Sequence, residues 1–257
     1  VENAPPPRIG SVPFLNARPH VHGLGPQEVA YDLPARLAAR LRAGEFDVAL
    51  APIAGFLGEP RYGILDGIAI ACRGEVRSVY LAHRGPLSAV RSVAFDPNSR
   101  SSSLLLRLAL DEFLGLEGRW SQADDPQAAD ARLRIGDPAL RERAGLVADG
   151  WRLLDLGELW FQRTQLPFVF AAWIVAPGAD TSRFSARLRA ALASGIAALD
   201  EIAARQKVLP PAEARDYLAR CLRYELGPAE KRGIEEFRSL CAKRRLIPDV
   251  PGPSFLK

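Results

Sequence analysis

The chain contains no methionine, only three histidines and only three cysteines. Cys72, Cys221 and Cys241 are odd in number, far apart and never arranged as CxxC, which excludes a disulfide framework and a cysteine-rich zinc site and marks them as reduced and structural. His20 and His22 stand two apart with no third ligand at zinc-site spacing, so no metal is expected. No run of about 18 apolar residues occurs. The opening VENAPPPRIG has no basic segment leading into an apolar core, the pattern of an export signal. A cytoplasmic location without membrane contact is therefore expected, although the missing methionine, an initiating one included, leaves room for a segment ahead of Val1. GxSxG, P-loop and GxGxxG patterns are also absent, and no cofactor is expected.

What the chain does have is ordinary globular material: 257 residues, 48% hydrophobic and 25% charged, with a net charge of +4. Length alone fits one large α/β domain or two lobes. Positive charge gathers late, at Arg220, Arg223, Lys231, Arg232, Lys243, Arg244 and Arg245, but Glu225, Glu230, Glu235 and Glu236 are interleaved with it. That is the pattern of solvated helix faces, and with no aromatic-studded basic motif it excludes nucleic acid as the expected partner.

Along the chain, residues 8–14 read as a strand and residues 16–19 as the turn leaving it. Asp32 precedes Leu33, Leu37 and Leu41 at a spacing of four, with Gly44 beyond them, which predicts a capped amphipathic helix with a glycine stop. Residues 46–51 follow as a buried strand, completing a βαβ unit with a right-handed crossover. Residues 68–72 and 78–83 read as strands. A second unit starts at Ser92, with a strand, the polar turn NSRSSS, a helix over 104–113 and a strand at 132–135 ending in Gly136 and Asp137. Helical patterns run over 182–206, 211–224 and 228–244, broken by Pro210, Pro211 and Pro228. Alternating strands and helices followed by terminal helices predict an α/β architecture. The expected division is a discontinuous first lobe, 1–90 plus 171–257, and an inserted second lobe, 91–170, with a ligand cleft between them.

Six segments appear in an order that resembles the chorismate dehydratase family of the futalosine route to menaquinone. They are IGSVPFLNARP (9–19), GEFDVALAPI (44–53), IAIACRGEVRSV (68–79), DPNSRSSSLLLRL (96–108), IGDPAL (135–140) and LWFQRTQLPFVFAAW (159–173). No single segment is specific, but all six in order and spacing are. Three positions depart from the family pattern: His20 stands where a leucine is usual, Gln165 where Thr-Gly-Leu-Pro has its glycine, and Ser101 where the Ser-Arg-Thr-Ser turn has its threonine. The resemblance implies a two-lobed α/β fold of the periplasmic-binding-protein-like type II class, with a cleft between the lobes and C-terminal helices. It also implies a small-molecule substrate, chorismate, and a cofactor-independent hydro-lyase reaction that eliminates water to give 3-[(1-carboxyvinyl)oxy]benzoate. The sister enzyme 1,4-dihydroxy-6-naphthoate synthase is the nearest alternative, but its opening motif is rich in Ser, Pro, Asn and Asp-Thr-Phe where this chain has SVPFLN. A non-catalytic anion- or solute-binding protein is the second alternative.

Such a reaction asks a protein for anion recognition, alignment of the leaving groups and exclusion of water. Asn16, at the carboxyl end of the first strand, is the first choice as catalytic residue, because its amide both donates and accepts. Ser99, Ser101 and Ser102 lie before a leucine-rich helix, where hydroxyls and free N–H groups suit a carboxylate and equally suit simple capping. Ser11 and Ser78 are further candidates for substrate hydrogen bonds. Asp137, followed by Pro138, reads first as the cap of its own helix and second as a base or orienter at the cleft. Thr164, Phe168 and Phe170 are candidates for the apolar wall, with core packing as the competing reading of the two aromatics. The general base is left unassigned, and one hypothesis is that the substrate's own enolpyruvyl carboxylate removes the ring proton while the protein holds it in place.

Overall fold

A computed structural model of the protein describes residues 5–96 and 99–257. Residues 1–4 of the proline-rich lead and 97–98 of the polar turn lie outside the described residues. The βαβ unit is present as β1 (Ile9–Ser11), β2 (Val29–Tyr31), α1 (Pro34–Arg42) and β3 (Val48–Pro52), with β1 pairing in parallel to both β2 and β3. Leu37 and Leu41 fall on the buried face of α1, as their spacing requires, and Gly44 follows the helix at φ +75°, a conformation that suits glycine. Asp32 does not cap α1 directly. It accepts the Leu33 N–H at 2.9 Å and forms ion pairs with Arg36 and Arg40.

After β4 (Gly63–Cys72) the chain changes sheets. The second sheet contains β5 (Val79–His83), β6 (Ser92–Ala94), β7 (Ser121–Gln122), β8 (Ala131–Ile135) and β9 (Arg152–Asp155), ordered β7-β6-β8-β5-β9. Helix α2 (Arg100–Leu108) follows β6 and α3 (Gly136–Ala148) follows β8. The chain returns through α4 (Leu156–Thr164) to β10 (Phe168–Val175), which is inserted antiparallel between β3 and β4. Its sequence FVFAAWIV is unbroken apolar, as a central strand covered on both faces demands. The C-terminal part adds α5 (Ser185–Ala197), α6 (Leu199–Arg205), α7 (Pro211–Asp216), β11 (Arg223–Leu226), α8 (Pro228–Lys243) and β12 (Ser254–Leu256). Both β11 and β12 pair with β4, so the first sheet runs β11-β4-β10-β3-β1-β2 with β12 also on β4.

These pairings move the expected divisions. Strand β5 lies before residue 90 yet, among the described residues, pairs only with β8 and β9, so the chain leaves the first sheet within residues 73–78. It re-enters within residues 156–167, between β9 and β10. A single carboxylate joins the two crossings. Asp155 accepts N–H groups from Val76 (3.1 Å) and Arg77 (2.7 Å) in the first crossing, and from Gly157 (3.0 Å) and Glu158 (3.1 Å) in the second. The crossings also touch directly: a Cβ on Gly157 would lie 2.6 Å from Cys72 Sγ and 2.7 Å from the Gly74 carbonyl. Arg77 takes the left-handed conformation there, at φ +60°.

Gln165, the departure from Thr-Gly-Leu-Pro, ends α4 at φ +58°. A left-handed helix terminus strains a residue with a Cβ, and the glycine at this place in the family pattern would relieve it. Gln165 adds compensating bonds from its Nε2 to the Phe161 and Gln162 carbonyls, but these are exposed to water and worth little. Gln165→Gly is expected to raise stability by about 0.5–1 kcal/mol, read as a higher urea midpoint at unchanged slope; a lower midpoint would contradict the strain argument.

Candidate active site

A pocket of about 600 Å³, open solvent at its mouth included, lies between the two sheets. The first sheet and its turns contribute Val12, Phe14, Asn16, Leu50, Pro52, Ile70, Phe170 and Ala171, with Pro34 and Leu222 at the margin. The second sheet and its helices contribute Val79, Ser99, Ser101, Ser102, Ile135 and Gly136, and the first crossing adds Val76 and Ser78. Its floor is formed where β1, β3 and β8 end at their carboxyl termini, the usual ligand position in open α/β sheets. None of these side chains carries a formal charge. A wider depression shares Pro34, Pro52 and Ser99 with the pocket and is lined also by Arg42, Arg100, Arg107 and Asp96. Arg42 is paired with Glu59, whereas Arg107 lies over the rings of Phe95 and Trp120.

Asn16 sits in a 3₁₀ helix, Leu15–Val21, that leaves β1. Its Oδ1 is buried and has no hydrogen-bond partner among the described residues. A buried carbonyl oxygen without a partner is costly, and at a pocket wall it awaits a donor. Ser78 is buried and accepts a hydrogen bond at 3.0 Å from the hydroxyl of Tyr217. Burial raises the pKa of Tyr217 far above the usual range, and Ser78, accepting from it, retains a hydroxyl hydrogen of its own for a second partner. Tyr217 belongs to the C-terminal helical region, and no local sequence signal links it to Ser78, 139 residues away.

Ser99 is the N-cap of α2. Its Oγ accepts the Ser102 N–H at 3.3 Å and donates to Ser102 Oγ at 2.8 Å. Capping and pocket lining therefore coincide at this helix start, whose free N–H groups and dipole favour an anion. Ser101 Oγ accepts the Ala54 N–H at 3.0 Å, from the opposite side of the cleft.

The remaining expected residues lie elsewhere. Ser11 is wholly buried behind the wall, its hydroxyl 3.5 Å from the Val12 carbonyl. Thr164 is turned into the end of α4, donating to the Trp160 carbonyl at 2.9 Å and accepting the Leu166 N–H at 3.2 Å. Phe168 packs in the core with Trp160, Phe170 and Phe237, at ring separations of 5.3, 4.6 and 4.9 Å. Only Phe170 of that aromatic pair reaches the pocket. Asp137 does not cap α3, because its Oδ1 accepts the Leu15 N–H at 2.9 Å across the cleft. Burial, the main influence, raises its pKa, while that bond and the nearby Arg141 and Arg18 lower it. The two neighbouring histidines diverge, His20 Nε2 toward the Ala69 carbonyl and His22 Nδ1 toward Ser194 Oγ. All three cysteines are free and buried, with Cys221 pushed up to about 11 and Cys241 to about 12. Among the described residues no helix is long and apolar enough to cross a membrane.

A model of a family described as menaquinone biosynthesis matches residues 7–243. The chorismate dehydratase of Thermus thermophilus is 30% identical over 253 residues, covering 89% of this chain and 93% of that protein. Among solved structures, a protein from Archaeoglobus fulgidus superposes with a TM-score of 0.74 at 17% identity, over 94% of this chain and 98% of that one. The periplasmic aliphatic sulphonate binding protein of Escherichia coli gives a TM-score of 0.66 at 17% identity, over 96% and 95%. A Candida albicans protein with the generic periplasmic binding protein fold gives 0.55 at 11% identity, over 99% of each chain. The structural likenesses establish the fold: two α/β lobes with a cleft between them.

Proposed function

The chain belongs to the menaquinone biosynthesis family, and we propose that it is a chorismate dehydratase, a hydro-lyase that needs no cofactor and works in the cytoplasm. The observation that carries this reading is the pocket itself: uncharged, walled by apolar side chains, and furnished with Asn16, Ser78 and the serine-capped start of α2. We assign the first lobe to residues 5–72 with 168–257 and the second to 79–155, joined by the two crossings.

Chorismate is a dianion with an apolar ring face. One carboxylate is placed at the N-terminus of α2, where Ser99 and Ser102 supply hydroxyls and the helix supplies N–H groups. The ring lies against Phe14, Ile70 and Phe170. Asn16 Oδ1, unpartnered among the described residues, accepts from the ring hydroxyl and so fixes the reacting carbons, and Ser78, held by Tyr217, donates to the oxygen of that departing hydroxyl. No lining side chain is an acid or base, so the enolpyruvyl carboxylate of the substrate takes the proton from the carbon bearing the ether. The electron pair of that C–H bond enters the ring as the C–O bond to the hydroxyl breaks, and the departing oxygen leaves as water once it has collected a proton. The elimination is redox-neutral, and aromaticity drives it. Arg100 and Arg107 in the adjoining depression draw the dianion in.

The test is incubation of the purified protein with chorismate alone, followed by mass spectrometry for a product lighter by one water. Formation of the enolpyruvyl benzoate is expected, with Asn16→Ala lowering kcat/KM by about 10- to 100-fold. Unchanged chorismate would overturn the reading in favour of the sister reaction or a binding role.

A further inference from the structure

Two hydrogen bonds cross the cleft in the same manner. The first N–H of the 3₁₀ helix Leu15–Val21 and an N–H in the first turn of a shorter one, Ile53–Gly55, have no acceptor within their own helices, and neither helix has a side-chain cap from its own N-cap residue. In both cases the acceptor comes from the opposite lobe. Asp137 Oδ1, on α3, accepts from Leu15 N at 2.9 Å, and Ser101 Oγ, on α2, accepts from Ala54 N at 3.0 Å. Both bonds are buried, and they span 122 and 47 residues of sequence. Leu15 adjoins Asn16, and Ala54 lies two residues beyond Pro52 on the pocket wall. Gly136 lets the lobes meet beside the first bond: it adopts φ +63°, and a Cβ there would stand 3.3 Å from the Phe14 ring.

We propose that Asp137 and Ser101 are positioning residues that cap first-lobe helix starts in trans and so clasp the cleft shut, one on each side of the pocket. The proposal deepens the chorismate dehydratase reading, on which its kinetic arm rests. Opening the cleft returns the Leu15 and Ala54 N–H groups to water, so each bond adds only to the closed state and shifts the equilibrium toward it. Losing one bond lowers the fraction of protein that is closed before substrate arrives. Apparent affinity falls by that fraction, while saturating substrate restores closure and with it turnover. Groups facing Asp137 from the packed elements are Arg141 on its own helix, Arg18 on the 3₁₀ helix and the Tyr217 hydroxyl.

The experiment measures hydrogen exchange at the Leu15 and Ala54 amides of the ligand-free protein, together with kcat and KM for chorismate, in the wild type and in Asp137→Ala, Asp137→Asn and Ser101→Ala. In Asp137→Ala, Leu15 is expected to exchange at least tenfold faster and KM to rise about tenfold, with kcat within about threefold. Asp137→Asn keeps an acceptor oxygen and is expected to restore both readouts to within about threefold of wild type. Ser101→Ala is expected to speed exchange at Ala54, which keeps the test open if Asp137→Ala does not fold. Unchanged exchange at Leu15 in Asp137→Ala would overturn the clasp, as would an Asp137→Asn variant that loses kcat as fully as Asp137→Ala, since that would make the carboxylate part of the chemistry. If exchange responds as expected while even the wild type leaves chorismate unchanged, the clasp stands and the reaction assigned to the pocket falls.

Discussion

Replacing Asp155 with alanine is expected to cost about 4 kcal/mol of folding stability, more than any single side chain at the pocket would. The carboxylate accepts four backbone N–H groups, two from each crossing, and leaving buried donors without an acceptor costs about 1–3 kcal/mol for each that water cannot reach. Part of that loss is returned because the charged group is itself unfavourable where it sits. Burial is the largest influence on Asp155 and raises its pKa, against the backbone N–H groups that lower it. Asp155→Asn drops the charge and keeps one acceptor oxygen, so it is expected to lose less than half as much. Urea unfolding of both variants checks the claim. An alanine variant within about 1 kcal/mol of wild type would mean that the crossings hold without the knot.

The second large effect concerns acid. His20 stands where the family pattern has leucine, and the structure buries it completely between Trp173 and Tyr224, with Nε2 on the Ala69 carbonyl and Nδ1 without a partner among the described residues. Burial, the dominant cause, lowers its pKa to about 4 from an ordinary 6.5, while the bond to Ala69 works the other way. The unfolded chain therefore takes up a proton first as pH falls. Stability tied to the neutral ring is fully present above about pH 6.5 and is lost progressively down to about pH 4, a change of about 3 kcal/mol. His20→Leu removes the titrating ring. The difference in unfolding free energy between wild type and His20→Leu, measured in urea at pH 7 and at pH 4, is expected to shift by that amount. Parallel pH curves would show that His20 has no part in acid sensitivity.

Local pattern alone makes much of this molecule legible. The leucine spacing of α1, the buried run of β3 and the prolines opening α7 and α8 each follow from short-range rules, and they suffice for an α/β fold. Strands β2, β11 and β12 are not legible, because they are short and partly exposed edge segments whose identity comes from their partners. The lobe boundary falls in the wrong place for a related reason. Residues 79–83 look alike in either sheet, and only pairing with β8 and β9, about 50 to 75 residues further on, decides which they join. At the site, Asn16, Ser78, Ser99, Ser101, Ser102 and Phe170 follow from motif position and do meet at one pocket. Asp137 stands out in the sequence but with the wrong partner, since capping its own helix and capping one across the cleft leave the same mark. Tyr217 leaves no mark, because what it does depends on a residue 139 positions away, and Asp155 shows only as the Asp-x-x-Glu start of α4, since its bonds to Val76 and Arg77 reach back 79 and 78 positions.

The strand order carries a consequence for synthesis. Among the described residues all five strands of the second sheet lie within 79–155, so a chain growing from its N-terminus has what that sheet requires while the first sheet still lacks β10. Until residues 168–175 emerge, β3 and β4 have no common neighbour and present open edges. The inserted lobe is thus the part that can be finished on the ribosome, and the lobe begun first waits for its central strand.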